Sequence, residues 1–138
     1  TAVTIIAGGF VAGLKAGKIY NTFPMMGDHW VPPGTMALEP FWRNFFDNMT
    51  TVQFDHRVLA ITTLIVVIVF WFKARKSDLP ARSRPAVNAL LHTAILQVAL
   101  GITTLLMSVP VILGATHQGV AMLLFTVSLY ILHSVRRI

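Results

Sequence analysis

Residues 52–72 read VQFDHRVLAITTLIVVIVFWF, and the charged or strongly polar side chains of this stretch, Gln53, Asp55, His56 and Arg57, all fall near its start. Behind them runs an apolar segment of the length a helix needs to cross a bilayer, about 20 residues, longer than an ordinary strand. Stretches of the same character lie at 86–107 and 115–135, and a shorter one, Ala2 to Leu14, comes first. The pattern predicts an all-α integral membrane protein, a four-helix bundle with helices at about 1–14, 52–72, 86–107 and 115–135 and a long loop at 15–51. The first helix is expected to be truncated, because about 13 apolar residues fall short of a span. A chain of 138 residues that is 55% hydrophobic and 12% charged, with mean hydropathy +0.70, is too apolar for an ordinary soluble domain.

Charge orients the bundle. The connection from Lys73 to Arg84 sets Lys73, Arg75, Lys76, Arg82 and Arg84 against Asp78, a net of +4, which by the positive-inside rule faces cytoplasm or matrix. Arg136 and Arg137 end the last helix on that same side, while residues 15–51 balance Lys15, Lys18 and Arg43 against Asp28, Glu39 and Asp47. The first and third helices therefore run outward and the second and fourth inward, with Ser108 to Gly114 as a short outer turn around Pro110. The net charge of +6 is clustered in loops, an arrangement suited to membrane lipid and not to nucleic acid.

The outer loop contains Pro24, Pro32, Pro33 and Pro40 with several glycines, which excludes a continuous helix between Gly17 and Pro40. Behind Pro40, Phe41, Trp42, Phe45, Phe46 and Met49 recur at helical spacing with Arg43, Asn44, Asp47 and Asn48 opposite, the pattern of a helix lying in the interface. Such a helix is either a collar beside the second span or an aromatic anchor for the loop. Gly9, Gly13 and Gly17 repeat every four residues, as in helices that approach closely. Asn48-Met49-Thr50 is a glycosylation sequon that abuts the membrane and carries no weight.

Ionisable residues inside a membrane point to function. His56 and His117 both lie near the outer ends of their spans, roughly 6 Å and 3 Å in at 1.5 Å per residue, so one planar macrocycle can take an imidazole from each. Ala60 and Thr63 flank His56 on its face, and Gly114 and Ala121 flank His117, all small enough to admit a porphyrin. With no cysteine in the chain, any haem is held non-covalently. Its propionates would face outward towards Arg57 and Arg43, although Arg57 also reads as a residue snorkelling to the interface. On these residues alone, haem ligation and simple hydrogen bonding between helices stand level. His92 and His133 lie near the inner ends, where a buried polar contact and an interfacial residue account for them better than a ligand pair. Asp55 is adjacent to His56 in sequence and so points elsewhere on the helix, which argues against a direct bond. No Ser-His-Asp set, Walker loop or metalloprotease helix is present.

Tyr20-Asn21-Thr22-Phe23-Pro24-Met25-Met26-Gly27, Pro32-Pro33, Arg43-Asn44-Phe45-Phe46, Phe54-Asp55-His56-Arg57, Leu100-Gly101-Ile102-Thr103-Thr104-Leu105-Leu106 and His117-Gln118 together closely resemble the haem A synthase family, in its mitochondrial and alphaproteobacterial branch. The likeness covers nearly the whole chain. Members of that family have eight helices in two similar four-helix halves and oxidise a methyl group of haem O to the formyl group of haem A for cytochrome c oxidase assembly. The resemblance implies that residues 1–138 are the C-terminal half, in a bacterial plasma membrane or mitochondrial inner membrane. It also implies that His56 and His117 are the axial iron ligands of a haem b, with Arg57 beside it. In the family's N-terminal half a glutamate stands three residues before the histidine; Gln53 occupies that place here, so no catalytic residue is expected in this half. Haem O is the implied substrate, with haem O synthase and a second copy of the chain as further candidate partners. Two rivals remain: a diheme cytochrome b-type electron carrier pairing His56 with His117 and His92 with His133, and a module whose histidines only tie helices together.

Overall fold

The computed structural model describes residues 1–79 and 83–136, with side chains described as far as Ser134. Arg82 and Arg137 of the positive-inside argument, and the Arg136 side chain, lie outside the described residues. The described chain is helical: α1 Ala2–Gly13, α2 Asn44–Asp47, α3 Met49–Arg75, α4 Arg84–Leu106 and α5 Val111–Arg136. α3, α4 and most of α5 are long and apolar enough to cross a membrane, and α1 is a shorter apolar helix. α1 packs on α3, α3 on α4 and α4 on α5, so the molecule is two helix pairs joined through α3 and α4.

Helix ends fall where local chemistry puts them. α3 starts three residues before the expected Val52 because the Asn48 side chain accepts hydrogen bonds from the Thr50 and Thr51 amides, and it ends on the cations Lys73 and Arg75. Ser83 precedes Arg84 and Pro85 at the start of α4, where a missing proline N–H costs nothing. The outer turn between α4 and α5 is tighter than expected. It ends at Pro110, whose carbonyl accepts from Gly114 N at 2.9 Å, so α5 begins at Val111 and not near Ala115. Ser108 and Val109 make the reversal at φ of 62° and 60°, an unusual conformation for a β-branched residue, and Val109 N bonds back to Thr104 O at 2.8 Å.

The interfacial helix expected behind Pro40 is broken. Phe41–Arg43 is a 3₁₀ turn, Asn44–Asp47 one α-turn, Asn48 is extended and Met49 already belongs to α3. Asn44, assigned by spacing to the polar outer face, is fully buried at 0% exposure. Its amide donates to Leu38 O and Phe41 O at 2.8 Å while its oxygen accepts from Leu38 N at 2.9 Å, so it acts as a clasp within the loop. Phe41, Trp42, Phe45 and Phe46 stay exposed, as an aromatic belt requires.

The apolar core lies towards the charged end. Val67 and Ala74 of α3, Val87, Leu90 and Ala94 of α4, and Leu124 and Ile131 of α5 form one buried cluster, closed by a Ser83–Ser134 hydroxyl bond at 3.3 Å. α1 buries no residue at all. The loop end of the bundle, where both candidate histidines lie, has a smaller set of buried apolar side chains, Ala16, Met26 and Val52, among its polar contacts.

Candidate functional site: two imidazoles on two glycines

His56 is seven residues into α3 and His117 six into α5, which puts them at similar depths of about 10 Å and 9 Å below the outer helix ends. Both are deeper than the expected spans implied, because both helices start earlier.

Each ring rests edge-on over a glycine of the neighbouring helix. A Cβ built on Gly8 of α1 would stand 3.0 Å from His56 Cε1, and one built on Gly101 of α4 would stand 3.0 Å from His117 Cε1. Gly8 and Gly101 are each five residues from the outer ends of their helices, so the α1–α3 and α4–α5 pairs repeat one arrangement. No side chain fits at either position without moving the imidazole. This is the close approach that the glycine spacing announced, but at a different residue: Gly9 and Gly13 meet nothing within 4 Å, while Gly17 takes Val109.

Among the described residues, five buried polar side-chain atoms lack a partner: Gln53 Oε1, His56 Nδ1, Arg57 Nε, Gln97 Oε1 and His117 Nδ1. All belong to the two histidines or to residues beside them. An unsatisfied buried polar group costs about 1–3 kcal/mol, so such a concentration marks a place built to meet something. Gln97 Nε2 lies 3.4 Å from His117 Nε2, and Thr4 on α1 shares a 2.8 Å hydroxyl bond with Thr63 on α3 one turn below Gly8. No group of three or more His, Cys, Asp or Glu that could hold a bare ion occurs among the described residues. Two imidazoles alone are too few for a bare cation but sufficient for an iron whose other four ligands come from a porphyrin.

Above the histidines the outer loop is stitched to α3. Arg57 donates to Thr22 O at 2.8 Å, Tyr20 O at 3.0 Å and Met25 O at 3.3 Å, and Gln53 Nε2 donates to Tyr20 O at 2.9 Å. Asn21 Nδ2 donates to Gly17 O and Leu105 O, tying the same loop to the end of α4. Within it Thr22 Oγ1 donates to Met25 O and accepts from Gly27 N, each at 2.8 Å, which folds Tyr20–Gly27 into a compact cap. Arg57, expected to face haem propionates, has most of its donors engaged by backbone carbonyls of this cap. Arg43 is held at 2.9 Å by Asp47, both exposed, and not by this site.

The remaining candidates lie apart. Asp55 lines an apolar cleft of about 170 Å³ with Val3, Ile6, Ala7 and Phe10, on another side of α3 from the ring of His56. His133 is exposed on α5. His92 is not the buried contact that sequence spacing favoured: it is exposed and lines a groove between α3 and α4 at the inner end.

Residues 1–129 match the cytochrome oxidase assembly protein family. A Nitrosospira multiformis protein named heme A synthase is 52% identical over 135 residues, which is 98% of this chain and 38% of the relative. The human and Arabidopsis thaliana proteins named heme A synthase are 46% and 48% identical, over 99% and 98% of this chain and 33% and 30% of their own lengths. The chain thus spans about a third of the length of the relatives it matches, and no solved structure matches it. An integral membrane helical bundle with paired outer histidines and this run of sequence identity belongs to the cytochrome oxidase assembly protein family.

Proposed function

We propose that this chain is the C-terminal, haem-binding half of a haem A synthase, and that His56 and His117 are the axial ligands of a haem b. The observation that carries the reading is the repeated arrangement of the two imidazoles, matched in depth, each wedged on a glycine of its partner helix. The Nδ1 of each ring is left without a partner in an otherwise apolar bundle, as suits a nitrogen that meets a ligand, while Nε2 of His117 is held by Gln97 at 3.4 Å. When bound, a bis-histidine haem supplies one-electron transfer.

The protein's own residues do the rest. Gly8 and Gly101 set how closely each imidazole approaches its neighbouring helix, and Gly114, with nothing within 4 Å, leaves room along α5. Arg57 and Gln53 hold the Tyr20–Gly27 cap over the outer end, which limits water at the site. Gln53 stands where the family's other half carries a carboxylate. Here its amide donates to Tyr20 O, and a neutral amide cannot stabilise a developing cation as a carboxylate does. Oxidation of haem O to haem A therefore belongs to the other half of the full protein, with electron transfer or structural support in this one. Haem O synthase and a second copy of the chain are the proposed partners. The diheme alternative has less support, since His92 lines the inner groove and His133 is exposed.

Replacing either His56 or His117 by Ala in the full-length protein should remove or convert the low-spin signal of this half, while His92→Ala and His133→Ala leave it. An unchanged low-spin spectrum and haem content in both His56→Ala and His117→Ala would end the assignment.

A further inference from the structure

The inner end of the bundle carries a second feature that the histidine site does not use. Between α3 and α4 lies a groove of about 460 Å³, lined by Trp71, Arg75, Arg84, Asn88 and His92 over a floor that includes the buried Ala74 and Val87. From its contents, we propose that it holds the phosphate headgroup of an anionic phospholipid.

Placement comes first. Arg75 is the last residue of α3 and Arg84 the first of α4, so both guanidinium groups stand where the helices leave the bilayer. His92 lies eight residues further along α4, about 12 Å deeper. The groove is therefore cationic at water level, with Ala74 and Val87 as an apolar floor beside the arginines and His92 at its deep end. Basic pockets between membrane helices on the positively charged side are where anionic headgroups bind.

The chemistry of the lining agrees. Among the described residues no carboxylate lines the groove, and their one ion pair, Arg43 with Asp47, is in the outer loop. Arg75 is held with its guanidinium carbon 4.6 Å from the centre of the Trp71 ring, which fixes a cation that would otherwise sweep through solvent. The Trp71 indole in turn donates to Asn88 Oδ1 at 2.9 Å, an orientation that leaves the Asn88 amide hydrogens for a ligand. A planar guanidinium fork and amide donors over an apolar floor suit phosphate oxygens. A free phosphate would gain nothing from that floor, or from the apolar side chains of Ile95 and Leu96 exposed further along α4, whereas an acyl chain would.

The test uses the full-length protein purified in mild detergent, with phosphatidylglycerol, phosphatidylcholine and inorganic phosphate as probes. Native mass spectrometry should find phosphatidylglycerol retained in preference to phosphatidylcholine, and the melting temperature should rise with phosphatidylglycerol alone. Arg75→Gln with Arg84→Gln should cut retention about 10- to 30-fold and abolish the rise. Asn88→Leu, which removes donors without touching charge, should weaken retention in the same direction. Lys73→Gln with Lys76→Gln removes equal charge from the same face outside the groove and should leave retention intact. The proposal is overturned if the lysine pair matters as much as the arginine pair, if inorganic phosphate stabilises as well as the lipid, or if the arginine pair changes nothing.

Discussion

Adding one methyl group at Gly8 or Gly101 tests the histidine site without touching a histidine. The new Cβ would stand 3.0 Å from an imidazole carbon, whereas ordinary contact begins near 3.4 Å, so ring and helix must part by several tenths of an ångström. Overpacking of this kind costs about 1–3 kcal/mol. Exchanging glycine for alanine inside a helix returns about 1 kcal/mol. Global stability should therefore fall by about 2 kcal/mol at most, while the ring is displaced in every folded molecule. If the imidazoles ligate iron, Gly8→Ala and Gly101→Ala should each shift the g-values and midpoint potential of the low-spin haem and weaken its retention by up to about tenfold, since 1.4 kcal/mol is a factor of ten. Gly9→Ala and Gly119→Ala, whose Cβ meets nothing within 4 Å, are the controls. The measurements are low-temperature electron paramagnetic resonance, redox titration and thermal melting of the full-length protein. Spectra and potentials in Gly8→Ala and Gly101→Ala indistinguishable from the controls would refute the claim that these glycines position the ligands.

Two further outcomes are expected. A cysteine at Ser77, in a chain without native cysteine, should react only from the cytoplasmic or matrix side, and labelling from the other side would invert the bundle. Arg57→Lys keeps the charge but loses the planar fork that reaches Tyr20, Thr22 and Met25, so the amide of Met26, bonded to His29 O at 2.9 Å, should exchange faster; unchanged protection would show that the cap stands without Arg57.

The spans and the paired depth of His56 and His117 were legible in the sequence because apolar length and intramembrane charge are local properties. What the sequence withheld depends on which faces meet. Periodicity placed Asn44 on the polar side of one continuous helix, but the chain breaks at Asn48, whose side chain is worth more as the cap of α3 than as a member of α2. The regular stripe Gly9, Gly13, Gly17 drew attention away from Gly8, and only the contact between α1 and α3 shows that Gly8 bears the ring. A usable signal did exist: Gly8 and Gly101 occupy equivalent places, five residues before the outer ends of their helices. His92 was misjudged for the converse reason, since an amphipathic position on α4 does not reveal that the neighbouring helix leaves a groove there.

The position of the apolar core has a mechanical consequence. Val67, Leu90 and Leu124 clamp three helices together at the charged end, and α1 contributes nothing to that clamp. From Val67 to His56 is eleven residues, a lever of about 16 Å, so a tilt of about 4° about the clamp carries the imidazole about 1 Å. The bundle works like a clothes-peg, with its spring at one membrane face and its jaws at the other. A tilt that changed the separation of the two rings would therefore load the hydrogen bonds of Arg57 and Asn21 across the outer end and spare the apolar packing at the inner one.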